Sequence, residues 1–236
     1  MVSANAFVEI KFNLYDMNIL SLTSDYIMEV EIVNRLLIVG VWRVNMEKRV
    51  FLRAFEYSDL AFINELRNDD TLYELTCGNK YHISSERDKK WIEDKIFNNY
   101  HQLYLVVCSN EDKKPIGYIS ASNIDYINRK AELGGLVLLQ EYSRLGLGTE
   151  ATQLILDHLF GELGMNMVYT DIKEDHKASL RMAERLGFQI DGMLRDYVYK
   201  NNKFHNVYFV SILKSEHTFG KKNSEDNRVK YEFERP

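Results

Sequence analysis

The sequence predicts an α/β (α+β) fold, a sheet with flanking helices, and three observations predict it. Two apolar runs of strand character, QLYLVVCS and PIGYISAS, are separated only by the polar NEDKK. Pro115 opens the second, which reads as an antiparallel hairpin. A third apolar run, KAELGGLVLL, passes through the glycine turn EYSRLGLGT into ATQLILDHLFGEL, whose apolar residues recur at helical spacing. Beyond that helix the chain alternates again, with the strand MNMVYTDI, the helix ASLRMAERLGF, and the strands FQIDGML and FHNVYFVSIL.

Taken in order, residues 1–47 show no persistent amphipathic period and no glycine-bounded turns, so they form an N-terminal extension of uncertain status. Trp42-Arg43-Val44-Asn45 back-translate to a purine-rich, ribosome-binding-like sequence ahead of Met46, so a native extension and a start at Met46 both stay open. Coherent patterning begins at Lys48 with the short strand KRVFLRAF. In SDLAFINELRND, Ser58 is placed to cap a helix that turns Leu60, Ile63 and Leu66 inward. SSERDKKWIEDKIFNNY is a second amphipathic helix. The helix after the glycine turn presents Ala151, Leu154, Ile155, Leu159 and Leu163 on one face and ends near Gly164, and the next helix stops at Gly187. The domain spans residues 48–215; the charged tail, aperiodic from Lys214 and set apart as 216–236, is expected to fray.

Composition narrows the function. The chain has 236 residues, 45% of them hydrophobic, enough for a full core. Its net charge of −5 with scattered basic residues does not suggest a nucleic-acid or anionic-membrane partner and mildly favours cationic ones. The longest membrane candidate, LLIVGVW, is far shorter than the roughly 20 apolar residues a span requires. Cys77 and Cys108 are the two cysteines, with Cys108 inside an apolar run, a usage that fits a reducing cytoplasm. His82, His101, His158, His205 and His217 are isolated and show no metal spacing, so no metal is predicted. A homo-oligomer stays open.

The turn carries the chemistry. A strand entering a glycine turn and then a helix presents unpaired backbone amides around one concavity, with the positive end of the helix dipole behind them. Gly146 and Gly148 leave bare backbone there, Arg144 adds charge and Thr149 adds a hydroxyl, which together suit a diphosphate. An isolated G-x-G also arises as a plain left-handed turn, and two downstream stretches decide between the readings. The turn Ser143-Arg144-Leu145-Gly146-Leu147-Gly148, followed by DHKASLRMAERLGF, resembles the Q/R-x-x-G-x-G/A motif and following helix of the GNAT superfamily of acyl-CoA-dependent N-acetyltransferases. Ser143 stands where that motif has Gln or Arg. The likeness covers about residues 48–215. NRKAELGGLVLLQEY and YKNNKFHNVYFVSIL make it most similar to spermidine N-acetyltransferases and ribosomal-protein N-terminal acetyltransferases.

The resemblance implies a mixed, largely antiparallel sheet whose two central strands splay apart to admit the pantetheine arm of acetyl-CoA. Val137 and Leu138 would then offer backbone groups to pantetheine, and Arg144, Leu145, Gly146, Leu147, Gly148 and Thr149 would hold the pyrophosphate. His176, where the family usually has Asn, and Ser179 would lie toward the cofactor, although a histidine or serine there also serves simply to start a helix. The tyrosine that protonates the leaving thiolate in many members is replaced by Ala183. A thiolate with a pKa of about 8.5 still leaves tolerably without an acid.

The implied reaction is acetyl transfer to a primary amine, with a polyamine, a peptide N-terminus and an amino sugar all open as acceptors. A non-catalytic acyl-CoA-binding module is the alternative. An alkyl ammonium with a pKa of about 10.4 costs roughly 4 to 5 kcal/mol to deprotonate at neutral pH. Glu132, a carboxylate among Ala131, Leu133 and glycines on the strand leading to Val137, is the candidate base. A solvent-facing edge carboxylate beside Arg129 and Lys130 is the competing reading. Asp69, Asp70 and Glu74 would attract a polyamine or form a solvated loop, the latter favoured. Tyr197, Tyr199 and Tyr208 would line an acceptor pocket or pack the sheet.

Overall fold

The computed structural model describes residues 48–78 and 82–219. The expectations for residues 1–47 and for the tail beyond residue 219 lie outside the described residues. The strands are β1 (Val50–Ala54), β2 (Leu103–Ser109), β3 (Pro115–Asp125), β4 (Lys130–Leu133), β5 (Val137–Leu138), β6 (Met167–Lys173), β7 (Gln189–Lys200) and β8 (Lys203–Leu213). They form one mixed sheet in the order β1-β2-β3-β4-β6-β8-β7, with β5 paired to β3 off that path. Among the described residues only β4 and β6 run parallel; the other pairs are antiparallel, including the β2–β3 hairpin opened by Pro115.

Helices cover both faces. The helix α1 (Leu60–Asn68) follows a 3-10 turn at Tyr57–Asp59, and α2 (Asp70–Leu75) and α3 (Ser85–Phe97) come next. Ser58 does not cap α1. Asp59 organises that start instead, accepting the Glu56 N–H at 2.9 Å and two guanidinium bonds from Arg53, because its longer side chain reaches back across the turn. The predicted inward residues Ile63 and Leu66 are buried and Leu60 is half-buried. Ile63 forms one core layer with Phe55, Ile92, Val106 and Cys108, and Leu60 packs against it. Asp88, fully buried there, bonds Asn64 and Arg67, whose guanidinium lies 4.0 Å above the Trp91 ring. Paired on both sides, this charge avoids the penalty of an isolated buried carboxylate.

Asp69, Asp70 and Glu74 do not form the favoured solvated loop. Asp69 accepts the Leu72 N–H at 2.9 Å and caps α2, while Glu74 accepts from Asn201 Nδ2 at 2.8 Å. Lys173 and Lys200, both buried, donate to the carbonyls of Glu74 and Tyr73 at the end of α2. Carbonyls left over at a helix C-terminus favour such cations.

On the opposite face lie α4 (Leu147–Gly161) and α5 (Lys177–Leu186). Ala151, Ile155 and Leu159 are fully buried as expected, while Leu154 and Leu163 are half-buried. Leu156 and Phe160 are also fully buried, so α4 is covered on a second stripe. The chain after β8 supplies part of that cover and is not frayed where it begins. His217 is buried, its Nε2 lies 2.7 Å from Asp157 Oδ1, and its ring stands 4.9 Å from Phe160. Each fully buried Leu or Ile in this layer contributes roughly 1.5 to 3 kcal/mol. The helix α5 ends at Gly187 as expected.

Candidate active site

The run KAELGGLVLL, expected as one strand, breaks in two, and the break opens the site. The parallel β4–β6 ladder holds three pairs, Lys130 with Met167, Ala131 with Val168 and Glu132 with Tyr169. Past Glu132 the chain parts from β6 but stays along β3, where β4 is already paired, and after a break at Gly134–Leu136 it pairs again as β5, Val137 opposite Tyr118 and Leu138 opposite Gly117. β6 continues through Lys173 with β8 alone as its partner. Among the described residues, neither Val137–Leu138 nor Thr170–Lys173 has a strand partner across this gap. Backbone groups on facing, diverging strands can pair with an inserted amide-bearing chain, because such groups are costly to leave unsatisfied.

At the wide end of the splay, a 3-10 turn at Gln140–Tyr142 leads through Ser143, Arg144, Leu145 and Gly146 into α4. Arg144 has φ 62° and Gly146, the N-cap, has φ 79°. The first helical bond runs from Glu150 N–H to the Gly146 carbonyl at 3.2 Å, so the N–H groups of Leu147, Gly148 and Thr149 precede it. Among the described residues no side chain caps this helix start. Amides ahead of the first helical bond, with Arg144 exposed beside them, fit a diphosphate. The Leu147 side chain is buried in the core, so that residue can offer only its backbone. Gly148 is also closely packed: a Cβ there would stand 2.9 Å from Leu136 Cδ2 and would push that side chain aside. Arg49, just before β1, braces the turn through Glu150 and the Leu145 carbonyl.

At the narrow end, Ala131 and Leu133 point into the α4 core, which turns Glu132 to the other face. Glu132 is half-buried and accepts from Asn123 Nδ2 at 2.6 Å. Asn123 lines a recess of about 480 Å3 together with Ser122, Phe97, Tyr100, His101 and Gln102. Val168 and Ile172 likewise point into the core, so Tyr169 and Asp171 share the face of Glu132. The Tyr169 ring stacks on Phe209 at 5.3 Å. Burial, and then the charge of Glu132, push the Asp171 carboxyl above its ordinary value; burial followed by the Glu132, Asp171 and Asp125 charges raises Tyr169 as well. The sequence does not single out Asp171. Its signal is a carboxylate inside the apolar strand run MVYTDI, two residues from the end of the parallel ladder.

His176 occupies the N-cap position of α5 without a side-chain cap bond; its Nε2 lies 3.5 Å from Ser179 Oγ. Burial, then Lys173, lower its pKa. Ala183 is buried in the core, so no acid stands there. Tyr197 and Tyr199 are exposed on β7, which β8 separates from β6, and Tyr208 packs partly against the core. Among the described residues, no group of three or more His, Cys, Asp or Glu side chains is placed to hold a metal ion.

Comparison with known proteins supplies the family context. Residues 49–189 match the family described as Acetyltransferase (GNAT) domain. The chain is 23% identical over 168 residues to the spermidine N(1)-acetyltransferase of Escherichia coli K12, covering 71% of this chain and 88% of that one. It is 35% identical over 100 residues to the putative ribosomal N-acetyltransferase YdaF of Bacillus subtilis, covering 42% and 54%. Among solved structures, the Vibrio cholerae spermidine N-acetyltransferase in complex with CoA and spermine aligns with a TM-score of 0.67 at 25% identity, covering 71% of this chain and 97% of that one.

Proposed function

The chain belongs to the GNAT acetyltransferase family and transfers an acetyl group to an amine, and from that premise we propose that its acceptor is a polyamine bearing a primary ammonium. Acetyl-CoA supplies the acetyl thioester. The unpaired amides from Leu147 to Thr149, with Arg144 and Gly146, would hold its diphosphate, and Val137–Leu138 would pair with the pantetheine arm. His176 and Ser179 lie at the start of α5 and are assigned to the cofactor side. The acceptor would approach from the recess beside Asn123.

The observation that carries the reading is the position of Glu132 at the last rung of the parallel ladder, where the splay begins. A carboxylate there attracts an ammonium and holds it where the splay opens. Its bond from Asn123, which lines the recess, fixes the carboxylate beside the acceptor's approach. The net charge of −5 and the relatives named for spermidine support a polycationic acceptor. The buried Ala183 and the 35% likeness to a putative ribosomal acetyltransferase favour a peptide N-terminus as second reading. A non-catalytic acyl-CoA-binding module is not favoured.

The free cysteines, Cys77 and Cys108, support a reducing, cytoplasmic setting. Among the described residues no helix is long and apolar enough to cross a membrane. The test is a panel of spermidine, spermine, an N-terminal peptide and an amino sugar, with detection of the CoA thiol released. Polyamines should show the highest kcat/KM. Turnover confined to the peptide would move the assignment to the second reading, and CoA binding without turnover on any amine would overturn both.

A further inference from the structure

Glu132 is not the only carboxylate at the splay. β6 leaves the parallel ladder at Tyr169, so Asp171 stands one same-face step inside the opening. Glu132 is held by Asn123, whereas among the described residues the side-chain carboxylate of Asp171 has no hydrogen bond or ion pair. A half-buried carboxylate without a partner destabilises the fold, because it gives up hydration and gains no protein donor in return. The groups facing it are Glu132 from β4, Tyr169 on its own strand and Cys77 from the segment after α2. Lys173, two residues on, is engaged with the Glu74 carbonyl and with Asp175 at 3.3 Å.

We propose that Asp171 is a further catalytic residue, the group that takes the acceptor's proton while Glu132 holds the ammonium in place. This rests on the reading of the splay as the site of acetyl transfer to an amine. The chemistry divides along the hydrogen bonding. Glu132, engaged by the Asn123 amide, is held in place to pair with a positive charge. Asp171, partly desolvated and unbonded, gains more from binding a proton, and the raised pKa agrees with that. In the step, the ammonium gives one proton to the Asp171 carboxylate and its nitrogen lone pair is freed. That pair forms the C–N bond to the thioester carbonyl carbon as the C–S bond breaks. The second nitrogen proton ends on the departing CoA thiolate, and Asp171 returns its proton to solvent.

The test is Asp171→Asn in the full chain, assayed with an alkylamine acceptor turned over by the wild type. At neutral pH kcat should fall about 10²-fold or more, with acceptor KM and acetyl-CoA Kd within about twofold. With a weakly basic amine that is already neutral at the assay pH, the variant should approach the wild-type rate. Asp171→Glu should recover part of the loss with the alkylamine. Unchanged kcat with the alkylamine, or an equal loss with both acceptors, would overturn the assignment. Absence of wild-type turnover on every amine would instead overturn the functional reading beneath it.

Discussion

Arg49 donates from its backbone N–H and from Nε to the two carboxylate oxygens of Glu150, at 2.6 and 3.0 Å, and from Nη1 to the Leu145 carbonyl at 2.9 Å. One residue at the edge of the sheet thus fixes both the first turn of α4 and the loop before it. The pair also neutralises a carboxylate that would otherwise repel a diphosphate. Arg49→Met is expected to raise the acetyl-CoA KM about tenfold, the scale of one charge-assisted hydrogen bond discounted for its exposure. Arg49→Met with Glu150→Gln should recover part of that loss, since the uncompensated charge is gone. A double variant as impaired as the single one would show that the pair acts by shape alone.

Gly146 and Gly148 should respond differently to substitution. Gly146 sits at φ 79°, so Gly146→Val strains the turn and narrows the cradle; the acetyl-CoA Kd should rise at least tenfold in a protein that still folds. Gly148→Val meets Leu136 first, so it should lower the melting temperature as well as the affinity. Calorimetric titration beside thermal melts separates the two. Wild-type affinity in a folded Gly146→Val protein would remove the turn from the cofactor site.

Glu132→Gln is expected to lower kcat/KM for the amine by about 10² at neutral pH, with a raised acceptor KM and an acetyl-CoA Kd that barely moves. The deficit should shrink as pH rises toward the amine's own pKa, where more acceptor arrives neutral. Asn123→Ala, which removes the donor at 2.6 Å, should show a milder loss of the same kind. A Gln variant with wild-type kinetics across that range would return Glu132 to the role of a strand carboxylate.

Asp171 also has a stability signature. Its folded pKa is raised, so between its ordinary value near 3.8 and the raised value the native state binds more protons than the unfolded chain. Stability therefore falls as pH rises through that window and stays lower above it. Asp171→Asn should be at least as stable as the wild type at pH 7 and lose that advantage below about pH 4, as read from urea midpoints. A variant clearly less stable than the wild type at pH 7 would mean that Asp171 is satisfied in the fold.

A chain beginning at Met46 should fold and match the full chain in kcat/KM. The first residues with described contacts are Lys48, whose carbonyl accepts from Asn110, and Arg49. Insolubility of the shortened chain beside a soluble parent would show that residues 1–47 belong to the core.

By itself the sequence determined the elements and the turn. The hairpin at Pro115, the helix after Gly146 and the stop at Gly187 were legible because their signals are local: a missing donor, an apolar period, a residue that tolerates positive φ. Glu132 was legible as a carboxylate set among small and apolar residues. Tertiary structure alone decided that KAELGGLVLL splits between β4 and β5, because strand pairing is chosen by β3 and β6, which lie far away in sequence. It alone showed that Asp59 and not Ser58 organises the start of α1, that Asp69 caps a helix of its own, and that His217 lies against α4. Asp171 belongs to the same class. In the sequence it is one polar residue in an apolar run, and its significance comes from sharing the face of Glu132 just past a ladder that ends two residues earlier, a relation set by the packing of two strands about 40 residues apart.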